Sequence, residues 1–215
     1  MPSDHDEPIV PQQAAAVAKR YRRIERPISF AAVLPVGIAA GVAYVTFTLV
    51  PAMLVALVAT VAVRIPVFQT SGRVTLATDA PPEAVRREFE SACPLGLAFQ
   101  WGIADEIERT EEGWAYDISS LFGRRSVRMT VEPRWDEGED EDLALVVTAG
   151  GHSWATYHVT VAERADGTIV ETAQTSDRRF GLRRLPQWFV ARRYRDEALA
   201  AQGYRVVDRE TGLSL

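Results

Sequence analysis

Two histidines, a dense run of carboxylates, a dense run of arginines and one cysteine are the residues that could do chemistry in this chain. His152 and His158 sit in the stretch GHSWATYHVTV, residues 151–161. On a strand they share one face with Trp154, Thr156 and Thr160, while Ser153, Ala155, Tyr157, Val159 and Val161 share the other. Six strand residues separate the two imidazoles by about 20 Å, too far for one metal ion or one catalytic pair. The stretch is therefore read as a polar outer face opposite an apolar inner one. Residues 136–142, DEGEDED, carry six carboxylates in seven positions. A calcium loop spaces its ligands and ends on a glutamate, so this run is read as a solvated hairpin tip. Cys93 is the sole cysteine, which excludes an intramolecular disulfide or a thiolate metal cluster within one chain; it is expected to be a small buried side chain. No phosphate-binding glycine loop, nucleophile elbow or zinc-ligand spacing occurs, so no cofactor and no metal are expected.

The arginines pose a sharper question. Arg178, Arg179, Arg183, Arg184, Arg192, Arg193 and Arg195 fall within 18 residues that hold no acid. They suit a contact with anionic headgroups, for which Arg183, Arg184, Arg192 and Arg193 are the candidates, or a gate for an acidic ligand at a pocket mouth. A solvated helix face, paired with acids elsewhere, is the plainer alternative.

The rest of the composition runs the other way. From Ser71 onward there are 25 acidic and 18 basic residues, and before it 4 acidic and 6 basic. Arginine is used 23 times and lysine once, a halophilic-type balance in which surface carboxylates maintain solubility. An acidic surface repels nucleic-acid backbones, which argues against a nucleic-acid partner.

The mean hydropathy of −0.07 averages two unlike parts. Residues 27–63 contain no Asp, Glu, Lys or Arg. One helix of that length would extend about 55 Å, beyond a hydrocarbon core of about 30 Å. Two helices, over about 28–45 and 49–64, are expected instead, opened by Pro27 and Pro51. The pairs Gly37/Gly41 and Ala52/Ala56 are spaced for close helix packing. The run starts too late and is too long for a signal peptide. Lys19, Arg20, Arg22, Arg23 and Arg26 precede it and Arg64 and Arg73 follow it, so the expectation is a two-span hairpin in the cell membrane with both termini cytoplasmic. A helix over residues 11–25, stopped by Pro27, would lie on the headgroups, and membrane lipids would be partners. The domains are thus 1–26, an acidic tail and basic helix; 27–65, the transmembrane hairpin; and 71–215, a soluble α+β domain.

Within that last part, residues 72–78 alternate as a strand, and residues 83–92 carry Val85 and Phe89 at helical spacing. Strand-like stretches follow at 104–110, 114–121, 124–135, 143–149, 154–163 and 168–175, with turn residues between them. A long helix over 185–202 is opened by Pro186 and closed by Gly203, and residues 204–208 add a short strand. An antiparallel sheet of six or seven strands around that helix, gripped through Trp188 and Phe189, would leave a cavity between them.

The opening VTLATDAPPEAVRREFE, residues 74–90, and the closing LAAQGYRVVD, residues 199–208, resemble the START-like superfamily of polyketide cyclases, dehydrases and lipid-transport proteins. The resemblance implies a helix-grip fold with a pocket for an apolar small molecule or lipid, held beside the bilayer by the anchor. It carries over no catalytic residue. Tyr116, Asp117, Tyr157, Trp188 and Phe189 are the pocket candidates. Two other functions stay open: a cyclase or dehydrase acting on a hydrophobic substrate through Tyr116, Asp117 and Tyr157, and an interaction module docking a partner through Trp154 and His158.

Overall fold

In the computed structural model, strand β5 (Leu143–Ala149) buries every second side chain, as the two-residue period of a strand requires. The structure describes residues 10–31, 34–120, 125–135 and 143–214; the acidic run 136–142, the turn at 122–123 and the tail 1–8 lie outside them. Eight strands form one sheet: β1 (Phe68–Thr78), β2 (Glu106–Arg109), β3 (Trp114–Ser120), β4 (Arg125–Trp135), β5, β6 (His152–Arg164), β7 (Gly167–Phe180) and β8 (Arg205–Ser214). The order across the sheet is β2-β3-β4-β5-β6-β7-β1-β8. From β2 to β7 each strand pairs antiparallel with its successor in sequence; β1 then fits antiparallel between β7 and β8.

One half of the inner face is closed by α4 (Pro82–Glu90) and α5 (Ala98–Trp101). Phe89, Leu97 and Trp101 are buried there in one cluster with Tyr116, Val131, Leu145 and Val147. The Trp101 indole N–H donates to the Pro94 carbonyl at 3.0 Å, so its one polar atom is satisfied. The other half faces α6 (Leu185–Ala201), which follows a 3-10 turn (Leu182–Arg184). Helix α1 (Gln12–Ala31) packs on α6 and α5. Ala14 and Ala18 are fully buried, and Tyr21 stacks on Phe99 at 4.6 Å and tilts against Tyr194 at 5.6 Å. Arg20 bonds Glu197 across this seam, and Gln187 donates to Glu25 at 2.5 Å.

The fold corrects several expectations. Helix α1 does not stop before Pro27 but runs through it. The uncharged run is divided into α2 (Leu34–Thr46), 13 residues, and α3 (Leu49–Arg64), 16 residues. At 1.5 Å per residue these extend about 20 and 24 Å, short of the roughly 30 Å of a hydrocarbon core. Among the described residues no helix is long and apolar enough to cross a membrane. The two transmembrane helices, and with them the multi-pass placement in the cell membrane, are therefore not supported. The hairpin packs through Ala43 and Ala52, while a side chain at Gly37 or Gly41 would meet nothing within 4 Å. The sheet has eight strands rather than six or seven. The long helix is not gripped through both aromatics: Trp188 is half-buried, and Phe189 is 62% exposed.

Candidate ligand-binding cleft

Helix α6 presents Trp188, Arg192, Arg195 and Leu199, with Gln202 at its C-cap, at alternating spacings of four and three residues, which places them on one face. That face looks at two rows of the sheet. The first row is Tyr157, Gln174, Gly72 and Thr211, aligned across β6, β7, β1 and β8. The second is Val159, Thr172, Val74 and Arg209 on the same four strands. Leu95, Phe99 and Gln100 close the end nearest the core. Between them lies a cavity of about 150 Å³. Gly72 contributes room in its row, because it puts no side chain into the space that Tyr157 and Gln174 line.

Toward the start of α6 the space widens into an outer chamber of about 720 Å³. The two share Thr70, Gln174, Trp188 and Arg195, so they are parts of one cleft with Trp188 and Arg195 at the junction. The outer walls come from the end of α3, the end of β7, the 3-10 turn and α1. Gly181 allows this convergence: a Cβ there would lie 2.6 Å from the Val63 carbonyl oxygen and 3.0 Å from that of Ile65.

The inner cavity is apolar with basic edges. Val74, Leu76, Leu95, Phe99, Trp188 and Leu199 supply its apolar wall, and Arg192, Arg195 and Arg209 its charge. Arg192 and Arg195 are exposed and have no ion-pair partner among the described residues. Arg209 differs: its side chain is 8% exposed and its Nη2 lies 2.5 Å from Asp196 Oδ1. Burial pulls its pKa down, and Asp196 opposes that shift. The pair ties β8 to α6 and fixes that wall. Burial pushes the Tyr157 hydroxyl up in pKa, with Arg195 pulling the other way, so Tyr157 stays a neutral phenol at physiological pH.

Of the residues singled out from the sequence, Tyr157, Trp188 and Arg192 line the inner cavity, and Arg184 lines the outer chamber. Arg193 points elsewhere and pairs with Glu197 at 3.4 Å. The side chain of Arg183 lies outside the described residues. Phe189 packs edge-on against Trp188, centroids 4.9 Å apart, without lining the cleft. Tyr116 is buried in the far half of the core, where its hydroxyl donates to the Ala92 carbonyl at 3.1 Å. Asp117, on the opposite face, pairs with Arg128 at 2.7 Å. Strand alternation separates these two neighbours, so Tyr116, Asp117 and Tyr157 do not form one site.

Trp154 also departs from expectation. The β5–β6 register shifts beside it, between Val147 and Thr148, and a bulge of this kind re-aims a side chain. Trp154 lines the outer chamber, whereas His158 is exposed. The imidazole of His152 is 2.9 Å from the Gly150 carbonyl oxygen. Among the described residues no group of His, Cys, Asp or Glu could hold a metal ion. Cys93 is buried, and burial together with Glu88 pushes its thiol up to about 12. Arg179 and Arg195 belong to the arginine run noted in the sequence without being picked as contact candidates, Arg64 was read only as a flank of the apolar run, and Arg209 was not singled out at all. The 188-192-195-199-202 spacing is the signal that could have marked Arg195.

No family model matches the chain, and no curated protein matches it. Solved structures do. A protein from Rhodobacter sphaeroides aligns with 15% identity over 62% of this chain and 89% of that one, with a TM-score of 0.43. One from Chromobacterium violaceum aligns with 14% identity over 62% and 97%, also at 0.43. A conserved protein from Geobacillus kaustophilus aligns with 12% identity over 62% and 91%, at 0.42. Likenesses this distant assign no function. They supply no support for the START-like resemblance read from residues 74–90 and 199–208, or for the lipid binding that it implied.

Proposed function

We propose that the cleft under α6 binds a small molecule with a compact apolar body and an acidic group. The observation that carries this reading is the placement of Arg195 and Arg192 on the helix face that also presents Trp188 and Leu199. An apolar cavity with a few convergent polar groups is the usual form of a small-molecule site. A cavity of about 150 Å³ admits a group the size of benzene. The arginines compensate an anion beside it, and the low-dielectric wall strengthens that attraction. Among the residues lining the inner cavity Tyr157 is the lone side chain with a titratable O–H, and no carboxylate or imidazole stands beside it, so the reading is binding rather than catalysis.

The test is calorimetric titration of the full chain with hexanoate and with 1-hexanol. Hexanoate is expected to bind at least 10-fold more tightly, and Arg195→Gln to remove most of that preference. Equal affinity for acid and alcohol would overturn the reading.

A further inference from the structure

The outer chamber carries more positive charge than one carboxylate needs. Arg64 from α3, Arg179 from β7, Arg184 from the 3-10 turn and Arg195 from α6 line it, against a single acid, Glu25. Glu25 is already engaged by Gln187 at 2.5 Å. None of the four arginines has an ion-pair partner among the described residues, and the formal excess is three positive charges. They come from four segments, two of them more than a hundred residues apart, in a chain whose net charge is −5. Like charges repel, so gathering four of them against one acid among the described residues disfavours the empty chamber. Gly181 is what permits it, since any larger residue would drive the α3 terminus and Arg64 away from the 3-10 turn.

We infer that the outer chamber is a phosphate site and that the ligand is a phosphate or diphosphate ester of an apolar alcohol. The inference rests on the reading of the inner cavity given above and names the class of its ligand. A carboxylate neutralises one charge. A phosphate monoester carries about 1.5 to 2 negative charges at neutral pH and three strong acceptor oxygens, which match several guanidinium forks at once. The volume of about 720 Å³ leaves room for one or two such groups. Arg195 at the junction contacts the ester end, and Trp188 separates the apolar group from the charged one. Arg64, Arg179 and Arg184 are exposed, so they exchange hydration for phosphate contact without a buried charge in the free protein.

The experiment compares hexyl phosphate, hexanoate, 1-hexanol and inorganic phosphate by calorimetry on the full chain. Hexyl phosphate is expected to bind at least 10-fold more tightly than hexanoate, with inorganic phosphate competing weakly. The double variant Arg64→Gln/Arg184→Gln should narrow the phosphate-over-carboxylate ratio to under 3-fold. Arg205→Gln, on β8 and outside the chamber, should leave that ratio unchanged and serves as the charge control. Equal affinity for hexyl phosphate and hexanoate, or a ratio that survives the double variant, would overturn the phosphate assignment while the acid-binding reading stands. Anions that bind no better than 1-hexanol would instead remove the underlying reading.

Discussion

At the scale of single residues, Glu88 shows how burial and partnership compete. Its carboxylate accepts from the Tyr204 hydroxyl at 2.5 Å, yet desolvation outweighs that bond and its pKa is raised. A carboxyl group whose folded pKa lies above its unfolded value favours folding below the unfolded pKa, about 4.3 for glutamate. That contribution is lost as pH rises through the folded pKa. Replacing Glu88 with Gln keeps an acceptor for Tyr204 and removes the charge. The melting temperature of Glu88→Gln should therefore exceed that of the wild type at pH 7, with the gap closing toward pH 4. A gap independent of pH would show that Glu88 is not proton-linked to folding. Residue types also set the limit of what the sequence discloses. Trp188 and Tyr157 are legible as cleft residues because large amphipathic side chains on a predicted helix and strand have few places to go. Tyr116 was not separable from Tyr157 by type; only the strand pairing puts one in the packed half of the sheet and the other in the open half.

Among the elements, α1 is the one whose role was least visible. Its small residues Ala14 and Ala18 let it approach α5 closely, and Gly102 completes the contact. A Cβ at Gly102 would lie 2.4 Å from the Ala98 carbonyl oxygen, 2.9 Å from the Ala18 Cβ and 3.2 Å from the Ala15 Cα. Gly102→Ala should cost about 1–3 kcal/mol in urea unfolding, the range of overpacking substitutions. Gly37→Ala is the contrast: inside α2 with nothing within 4 Å, it should be neutral or stabilising by up to about 1 kcal/mol. Equal costs at the two positions would mean that α1 does not sit tightly on α5. Strands such as β5 were plain in the sequence, since LALVVTA is a short apolar run between an acidic run and a Gly-Gly turn. The break in the hairpin was expected, but its first helix was read as starting near residue 28, whereas α1 runs through Pro27 to Ala31 and α2 starts at Leu34, which leaves it 13 residues. The break falls at Phe47 and Thr48, between α2 and α3. Val45 and Val50 on either side of it are 85% and 75% exposed, so the apolar character that prompted the membrane reading is real, although neither helix is long enough to span.

For the whole molecule, the decisive feature is the insertion of β1 between β7 and β8. No local pattern specifies that order, because residues 68–78 and 205–214 look like any two strands until their partners are known. It is this order that sets Val74 and Gly72 beside Thr172 and Gln174, carries Arg209 under α6, and opens the cleft. The same topology brings the end of β7 and the end of α3 to the start of α6, and so gathers arginines that lie far apart in the chain. What the cleft holds is therefore the decisive question. The most direct measurement is mass spectrometry of the small molecules released from the purified full chain, run beside Arg195→Gln. An anionic molecule with an apolar body is expected, near one per chain and strongly depleted from the variant. A neutral molecule retained equally by both proteins, or an acid that Arg195→Gln holds just as well, would contradict the proposed function.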